Sequence, residues 1–383
     1  MNRRLRLGMV GGGSGAFIGN VHRMAARLDD EYELVAGALS SEPNRALLSG
    51  KELRLDNDRI YSSYEQMAAS EARRSDGVDV VSIVTPNYLH YDAARTFLQA
   101  SVHVICDKPI TVSLEQAISL VQEVKESGRV FAVTYNYSGY PMVRQAREMI
   151  AAGEIGEIRV VQIEYPQAWL THDLANTGNK QAGWRSDPDK AGPGGCLGDI
   201  GTHAYHLLHF VTGLDVSEVA VDLTSFVSGR KLDDNVHSLL RFANGARGML
   251  WASQVAPGHD NGLRLRVYGS KGSIAWFQES PNTLSVSDDG GPIQLLSRGA
   301  EGLTEAAVQA TRIPSGHPEG FLEAFAQLYR DIAELIRAKE ENRQPDSSAQ
   351  LAPTVIDGVN GMRFIEAALE SSQANSAWVK LEP

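Results

Sequence analysis

The chain is expected to be an α/β protein: a doubly wound parallel domain, then an α/β domain on a large, mainly antiparallel open sheet. Three observations predict this. Over residues 1–135 short, nearly continuous apolar runs alternate with helix-length amphipathic stretches, as in a parallel sheet covered on both faces. A glycine run stands at the end of the first apolar run. From about Asn136 the apolar runs instead alternate polar and apolar residues between short turns, which suits an antiparallel sheet.

Leu5–Val10 reads as the first strand, Ile18–Leu28 as a helix and Glu33–Leu39 as the second strand. Strands follow at Val78–Thr85, Val102–Cys106 and Val130–Thr134, separated by helices over Leu89–Gln99 and Leu114–Ser127. Right-handed crossovers place the ligand crevice of such a sheet at the carboxyl ends of its strands. Pro141–Ala152 is then helical and Ile158–Tyr165 a strand. A helix opening out of a glycine-rich loop continues to Val211, with Gly213 as its stop signal. Further strands are expected at Val216–Val227, Asp234–Phe242, Arg247–Gln254, Leu263–Gly269 and Gly272–Phe277. Residues 281–315, rich in Gly, Ser and Asp, read as a loop excursion. Phe321–Glu340 is a long amphipathic helix, 341–350 a polar linker and Val355–Ser372 a last helix. The expected domains are 1–135 and 136–383, with the C-terminal helix packing back near the first.

The 383 residues carry 36 Lys plus Arg against 47 Asp plus Glu, a net charge of −11. That balance argues against nucleic acid or an anionic membrane as partner. Cys106 and Cys196 allow neither a disulfide framework nor a four-cysteine zinc site, and their usage fits a reducing cytosol. No apolar run reaches the roughly eighteen residues that spanning a bilayer requires. A cytoplasmic enzyme is the expected class.

Chemistry-bearing residues cluster at the strand ends. After the first strand come Gly11 to Gly19, in which Gly11, Gly13 and Ala16 satisfy a G-x-G-x-x-A pattern and lead through Phe17 and Ile18 into the helix. Such a turn lets backbone N–H groups approach a pyrophosphate; a flexible edge loop is the bland alternative. After the second strand stand Ser40, Ser41, Glu42 and Arg45. Hydroxyls and a guanidinium suit the 2′-phosphate of NADP, whereas Glu42 suits the ribose of NAD; NADP is favoured. Thr85-Pro86-Asn87-Tyr88-Leu89-His90 follows the third strand, with Asn87 expected to cap the next helix. Cys106-Asp107-Lys108-Pro109 follows the fourth, where proline aims Lys108 outward from the strand end.

The second domain's richest segment runs from Gly192 to His209. At about 100° per residue, Asp199, His203 and His206 fall within about 60° of one another, opposite Ile200, Ala204, Leu207, Leu208 and Val211. A carboxylate one turn before an imidazole suits general acid–base work. The alternative is a helix cap with a histidine satisfied by packing. His203, His206 and His209 fan over roughly 120° and do not converge on a metal ion, so no metal is expected.

Together these motifs resemble the Gfo/Idh/MocA oxidoreductase family. The glycine turn with His22 following, the T-P-N-x-x-H of Thr85 to His90, Asp107-Lys108-Pro109 in place of the usual E-K-P, and G-G-x-x-x-D-x-G-x-H at Gly194 to His203 carry the resemblance. It spans nearly the whole chain. It implies a Rossmann domain binding NAD(P), a second domain whose open sheet forms dimers or tetramers, and hydride transfer on a sugar, inositol or related polyol. By position it implies Lys108 as the active-site lysine, Asp199 as the substrate-contacting carboxylate and His203 as the acid/base. The glycine turn departs from the family in carrying three extra residues, and His206 stands where many relatives carry aspartate.

The expected chemistry has His203 taking the hydroxyl proton, Asp199 holding it or the substrate, and Lys108 stabilising charge on the reacting oxygen. Further substrate contacts are expected from Tyr137, Trp169, Trp184, Arg185 and His206, with His317 a weaker candidate; packing in an ordered loop is the alternative for both tryptophans. A sugar-modifying enzyme using bound nicotinamide transiently, and a non-catalytic dinucleotide sensor, are the competing readings.

Overall fold

The strand ends that carry the motifs are held by a parallel sheet in a computed structural model that describes residues 3–174, 177–178 and 180–381. Its first strands and helices are β1 (Leu5–Gly11), α1 (Phe17–Leu28), β2 (Tyr32–Ala38), α2 (Pro43–Glu52), α3 (Tyr64–Glu71) and β3 (Val80–Val84). There follow α4 (His90–Gln99), β4 (His103–Cys106), α5 (Leu114–Ser127) and β5 (Phe131–Val133). The strands are all parallel in the order β2-β1-β3-β4-β5. The order reverses between β1 and β3, so their carboxyl ends flank the switch-point crevice.

The chain continues through α6 (Pro141–Ala151), β6 (Ile158–Pro166), α7 (Lys180–Arg185), α8 (Pro188–Ala191) and α9 (Thr202–Thr212). Next are β7 (Val216–Thr224), β8 (Asn235–Phe242), β9 (Arg247–Ser253), β10 (Arg264–Gly269), β11 (Gly272–Phe277), β12 (Thr283–Asp288) and β13 (Gln294–Ser297). Helices α10 (Glu305–Gln309), α11 (Phe321–Glu340) and α12 (Val355–Gln373) and the short β14 (Val379–Lys380) complete it. Among the described residues β6 to β14 form one sheet in the order β13-β12-β11-β10-β6-β9-β8-β7-β14, antiparallel except where β6 meets β9. Residues 281–315 are therefore not the loop excursion expected. Leu284 and Val286 face Trp276 and Ile274 across β11, and this cross-strand pairing extends the sheet despite the polar composition.

The chain divides into two compact units, Met1–Gly139 with Phe321–Val359 and Tyr140–Gly320 with Asn360–Pro383. The single domain expected over 136–383 thus yields 321–359 to the first unit. The reason is the apolar face of α11: Phe325, Leu328, Tyr329, Ile332, Ala333 and Ile336 are buried against Leu5, Leu7, Val21, Ala25 and Tyr32. In the second unit Tyr205 of α9 stacks on Phe364 of α12 at 4.4 Å.

The glycine turn is built differently from the spacing expected. Gly11, Gly12 and Gly15 all have positive φ. Ala16 is the residue before α1, and the close approach of helix to strand is made by Gly19, where a Cβ would lie 2.3 Å from the Cα of Gly12. The inserted residues loop out between β1 and α1, so the third glycine role falls on Gly19 rather than Ala16. Gly19→Ala is expected to cost about 1–3 kcal/mol by overpacking, read as a lowered midpoint in thermal unfolding; an unchanged midpoint would mean that α1 can move away freely.

Candidate active site

The first unit presents a cradle and a lysine. Helix α1 has no side-chain cap and no acidic residue in its first turn, so its N-terminal N–H groups face the glycine turn without a carboxylate of their own. A Cβ on Gly13 would lie 2.6 Å from the carbonyl oxygen of Leu39, and one on Gly11 would lie 2.9 Å from that of Val84. Thr85 Oγ1, at the end of β3, is buried without a hydrogen-bond partner among the described residues. Bare helix N–H groups, a turn that only glycine can make and an orphaned hydroxyl fit the pyrophosphate and ribose of a dinucleotide. Phe17 is exposed and Ile18 half-buried in the first turn of α1.

At the end of β2, Ser40 Oγ accepts the N–H of Glu42 at 3.2 Å, and Ser41 is exposed. The carboxylate of Glu42 caps α2, accepting the N–H groups of Asn44 and Arg45 at 3.2 Å each. Arg45 is exposed and donates from Nη2 to the carbonyl oxygen of Ser14 at 3.3 Å, which brings a guanidinium to the rim of the glycine turn.

Lys108 stands between two fixed residues. Before it, Asp107 Oδ1 accepts from Thr134 Oγ1 and lies 3.0 Å from Nε2 of the fully buried His22. The other ring nitrogen of His22 lies 2.7 Å from Tyr329 Oη, which in turn is 2.6 Å from Ser82 Oγ. Burial acts to raise the Asp107 carboxyl, but His22 and the Thr134 hydroxyl outweigh it and bring it down to about 2. After Lys108 comes Pro109 in a cis peptide bond. The Pro109 carbonyl oxygen is 2.8 Å from His90 Nδ1, and that of Thr85 is 2.8 Å from His90 Nε2. His90 therefore ties the loop after β3 to the loop after β4. Its burial lowers its affinity for a proton, with Asp107 opposing. Asn87, expected as a helix cap, does not cap α4: the residue before that helix is Leu89, preceded by a 3₁₀ turn over Asn87–Leu89.

The second unit presents a carboxylate and an imidazole. Leu197–Gly201 is a π-helical turn leading into α9, so Asp199 and His203 stand on either side of a change of helix type. Asp199 Oδ2 accepts from Gln254 Nε2 at 2.8 Å, and Oδ1 lies 3.3 Å from Arg185 Nε. The guanidinium of Arg185 lies 4.3 Å above the ring of Trp184. Trp184, Arg185 and Asp199 are thus brought together, and Gln254 joins them. His203 is half-buried, whereas His206 is 4% exposed and stacks on Phe210 at 5.8 Å, so the two imidazoles do not share one open face. Trp169 is half-buried in a turn whose Leu170 N–H donates to the Gln254 carbonyl at 3.0 Å. Tyr137 belongs to the first unit, where it is buried with its ring 6.5 Å from Phe321. His317 is exposed, on a loop whose carbonyls are held by buried Arg298. Among the described residues no cluster of metal-ligating side chains occurs.

Both halves match known proteins. Residues 5–135 match the oxidoreductase family with an NAD-binding Rossmann fold, and residues 143–275 match the GFO/IDH/MocA C-terminal domain. An oxidoreductase from Sinorhizobium meliloti is 52% identical, with a TM-score of 0.91, over 99% of this chain and 100% of that one. The chain belongs to the Gfo/Idh/MocA oxidoreductase family. An inositol dehydrogenase homologue from Azotobacter vinelandii, solved with NADH and myo-inositol, is 36% identical with a TM-score of 0.92 over 99% of this chain and 98% of that one. Levoglucosan dehydrogenase from Pseudarthrobacter phenanthrenivorans is 27% identical over 98% of each chain. Among the described residues no helix is long and apolar enough to cross a membrane.

Sequence reasoning missed Gln254 and Tyr329. Neither sits in a recognisable spacing, although Gln254 follows directly on the end of β9. Because Asp107 is held below its ordinary range, its stabilising effect is complete above about pH 4 and is lost as the pH falls toward 2. The shift corresponds to roughly 2 kcal/mol. Urea midpoints at pH 5 and pH 3 should differ less in Asp107→Asn than in the unaltered protein; an equal difference in both would show that the carboxylate is not held in this way.

Proposed function

We propose that this family member is an NAD(P)-dependent dehydrogenase acting on a secondary alcohol or ketone carbon of a sugar, inositol or related polyol. The observation that carries the reading is the Asp199–His203 pair: a carboxylate already gripped by Gln254 and Arg185, one turn before a half-buried imidazole. The relatives solved with NADH and a polyol support the substrate class. The glycine turn, Thr85 and the loop through Lys108 would hold a nicotinamide dinucleotide, which when bound would supply hydride-transfer chemistry. His203 takes the proton of the reacting hydroxyl, and Asp199 fixes the substrate or the imidazole. Lys108 donates a hydrogen bond to the same oxygen and stabilises its developing negative charge. Arg185 and Trp184 offer donors and an aromatic face to the remaining hydroxyls and C–H edges of a ring. His206, Trp169 and Tyr137 remain candidate substrate contacts, with burial already accounting for Tyr137.

For the cofactor we favour NADP. Glu42 is engaged in capping α2, and Arg45 reaches the glycine turn, so the rim is set for a phosphate rather than a bare ribose. We also place self-association on the open face of the large sheet. Val160 pairs with Tyr268 and Leu239 with Met249, so these four lie on one side, and Val160, Tyr268 and Leu239 are 38%, 40% and 55% exposed. Cytoplasmic location is proposed on the two free, buried cysteines.

A panel of sugars, inositols and their keto forms with NAD and with NADP, followed at the absorbance of the reduced nicotinamide, tests the activity. His203→Ala should lower kcat on the best substrate by about 10²–10⁴-fold and leave the cofactor KM nearly unchanged. Unaltered turnover would remove His203 from the chemistry. Arg45→Ala should raise the KM for NADP several-fold and leave that for NAD unchanged; equal effects on both would set aside the phosphate role.

A further inference from the structure

We propose that Asp233 is a positioning residue: its carboxylate fixes the turn on which Asp199 and His203 are carried. This rests on the reading of those two residues given above. Asp233 lies just before β8 and reaches the glycine loop of Gly194 to His203 with every acceptor it has. Oδ1 accepts the N–H of Gly195 and Oδ2 that of Leu197, each at 2.7 Å. Its backbone carbonyl accepts the N–H of Cys196 at 2.9 Å. Three consecutive N–H groups, at the start of the π-helical turn, therefore converge on one residue.

The close approach is specific to glycine. A Cβ on Gly195 would lie 2.2 Å from the Asp233 carbonyl oxygen and 2.8 Å from the Leu232 Cβ. The turn is carried onward by Asp199, whose N–H donates to the Gly195 carbonyl at 2.9 Å. The next residue completes the frame. The Asp234 carbonyl accepts the N–H of Gln254 at 2.9 Å, and the Gln254 side chain holds Asp199. Asp234 is itself fixed by Arg230 and by the N–H groups of Phe226 and Val227. One end of Asp199's surroundings is thus set by Asp233 through the turn, and the other by Asp234 through Gln254.

Withdrawal from solvent pushes the Asp233 carboxyl up to about 6, with neighbouring Asp234 adding to the rise and the bound N–H groups of Leu197 and Gly195 opposing it. A plain structural cap does not need a carboxylate there, since a neutral side chain avoids that desolvation. What the carboxylate alone supplies is two equivalent acceptors for two N–H groups at once. Asparagine offers one acceptor and turns a donor toward the other N–H group.

The test is Asp233→Asn, measured beside His203→Ala in the full chain, with myo-inositol or whichever sugar or inositol of the panel turns over fastest. Displacing the turn by a fraction of an ångström should lower kcat about 10–100-fold. Binding of NADH, followed by its fluorescence, should be unaltered, because the cradle lies in the other unit. Amide hydrogen exchange at Gly195 and Leu197 should quicken in the same variant. If Asp233→Asn does not fold, Asp233→Glu keeps the charge, displaces it by one methylene and is read by the same three measurements. Unaltered kcat, unaltered exchange, or a loss shared equally with NADH binding would overturn the proposal. If His203→Ala also turns over normally, the reading of the site fails first and this proposal with it; if His203→Ala is inactive and the Asp233 variant is not, only the proposal on Asp233 fails.

Discussion

The carboxylate of Asp107 is the constraint that anchors the backbone beside Lys108 in the first unit. It takes bonds from Thr134 after β5 and from His22 on α1, and it is the residue immediately before Lys108. His22 is in turn fixed by Tyr329 of α11, whose hydroxyl also meets Ser82 on β3. A flexible lysine is therefore attached to a backbone anchored by groups from three strands and two helices. An ammonium whose root cannot drift loses less freedom when it binds an oxygen, and that is how a generic residue becomes a selective one. His90, bonded between the carbonyls of Thr85 and Pro109, adds the lateral tie.

The second unit applies the same principle with different parts. Asp199 is the central residue of a π-helical turn, where the regular ladder of an α-helix is interrupted. Such a turn places a side chain where an α-helix would not, and it needs outside support for its N–H groups. Asp233 accepts those N–H groups, while Gln254 and Arg185 hold the Asp199 carboxylate from two other stretches of chain. The family models divide the chain in a similar way, into an NAD-binding Rossmann fold over residues 5–135 and the GFO/IDH/MocA C-terminal domain over residues 143–275.

Much of this was legible in the residues, and the limits have physical causes. The parallel sheet was readable because its strands are apolar on both faces. The motif residues were readable because strand ends are where backbone geometry restricts residue choice. Periodicity could not foresee the π-helical turn between Asp199 and His203, since angular reasoning assumes one helix type throughout, nor that His206, on the regular α9, lies buried and stacked on Phe210. Strands β12 and β13 were hidden by the serine, glycine and aspartate in and around them, because their pairing is decided by neighbouring strands, β11 for β12 and β12 for β13, rather than by local propensity. The return of α11 to the first unit was also invisible locally: its apolar stripe shows that it packs on something, not on which sheet. Gln254 and Tyr329 belong to the same class. Their importance lies in partners 55 and 307 residues away, Asp199 and His22.

The proposed mechanism has Lys108 and His203 act on one substrate oxygen. A double-mutant cycle on kcat tests it most directly, comparing Lys108→Ala, His203→Ala and the double variant on the best polyol. Groups serving a single oxygen act as a unit, so the double variant should be little slower than the slower single one. Losses that multiply in full would show two independent contributions and contradict the account.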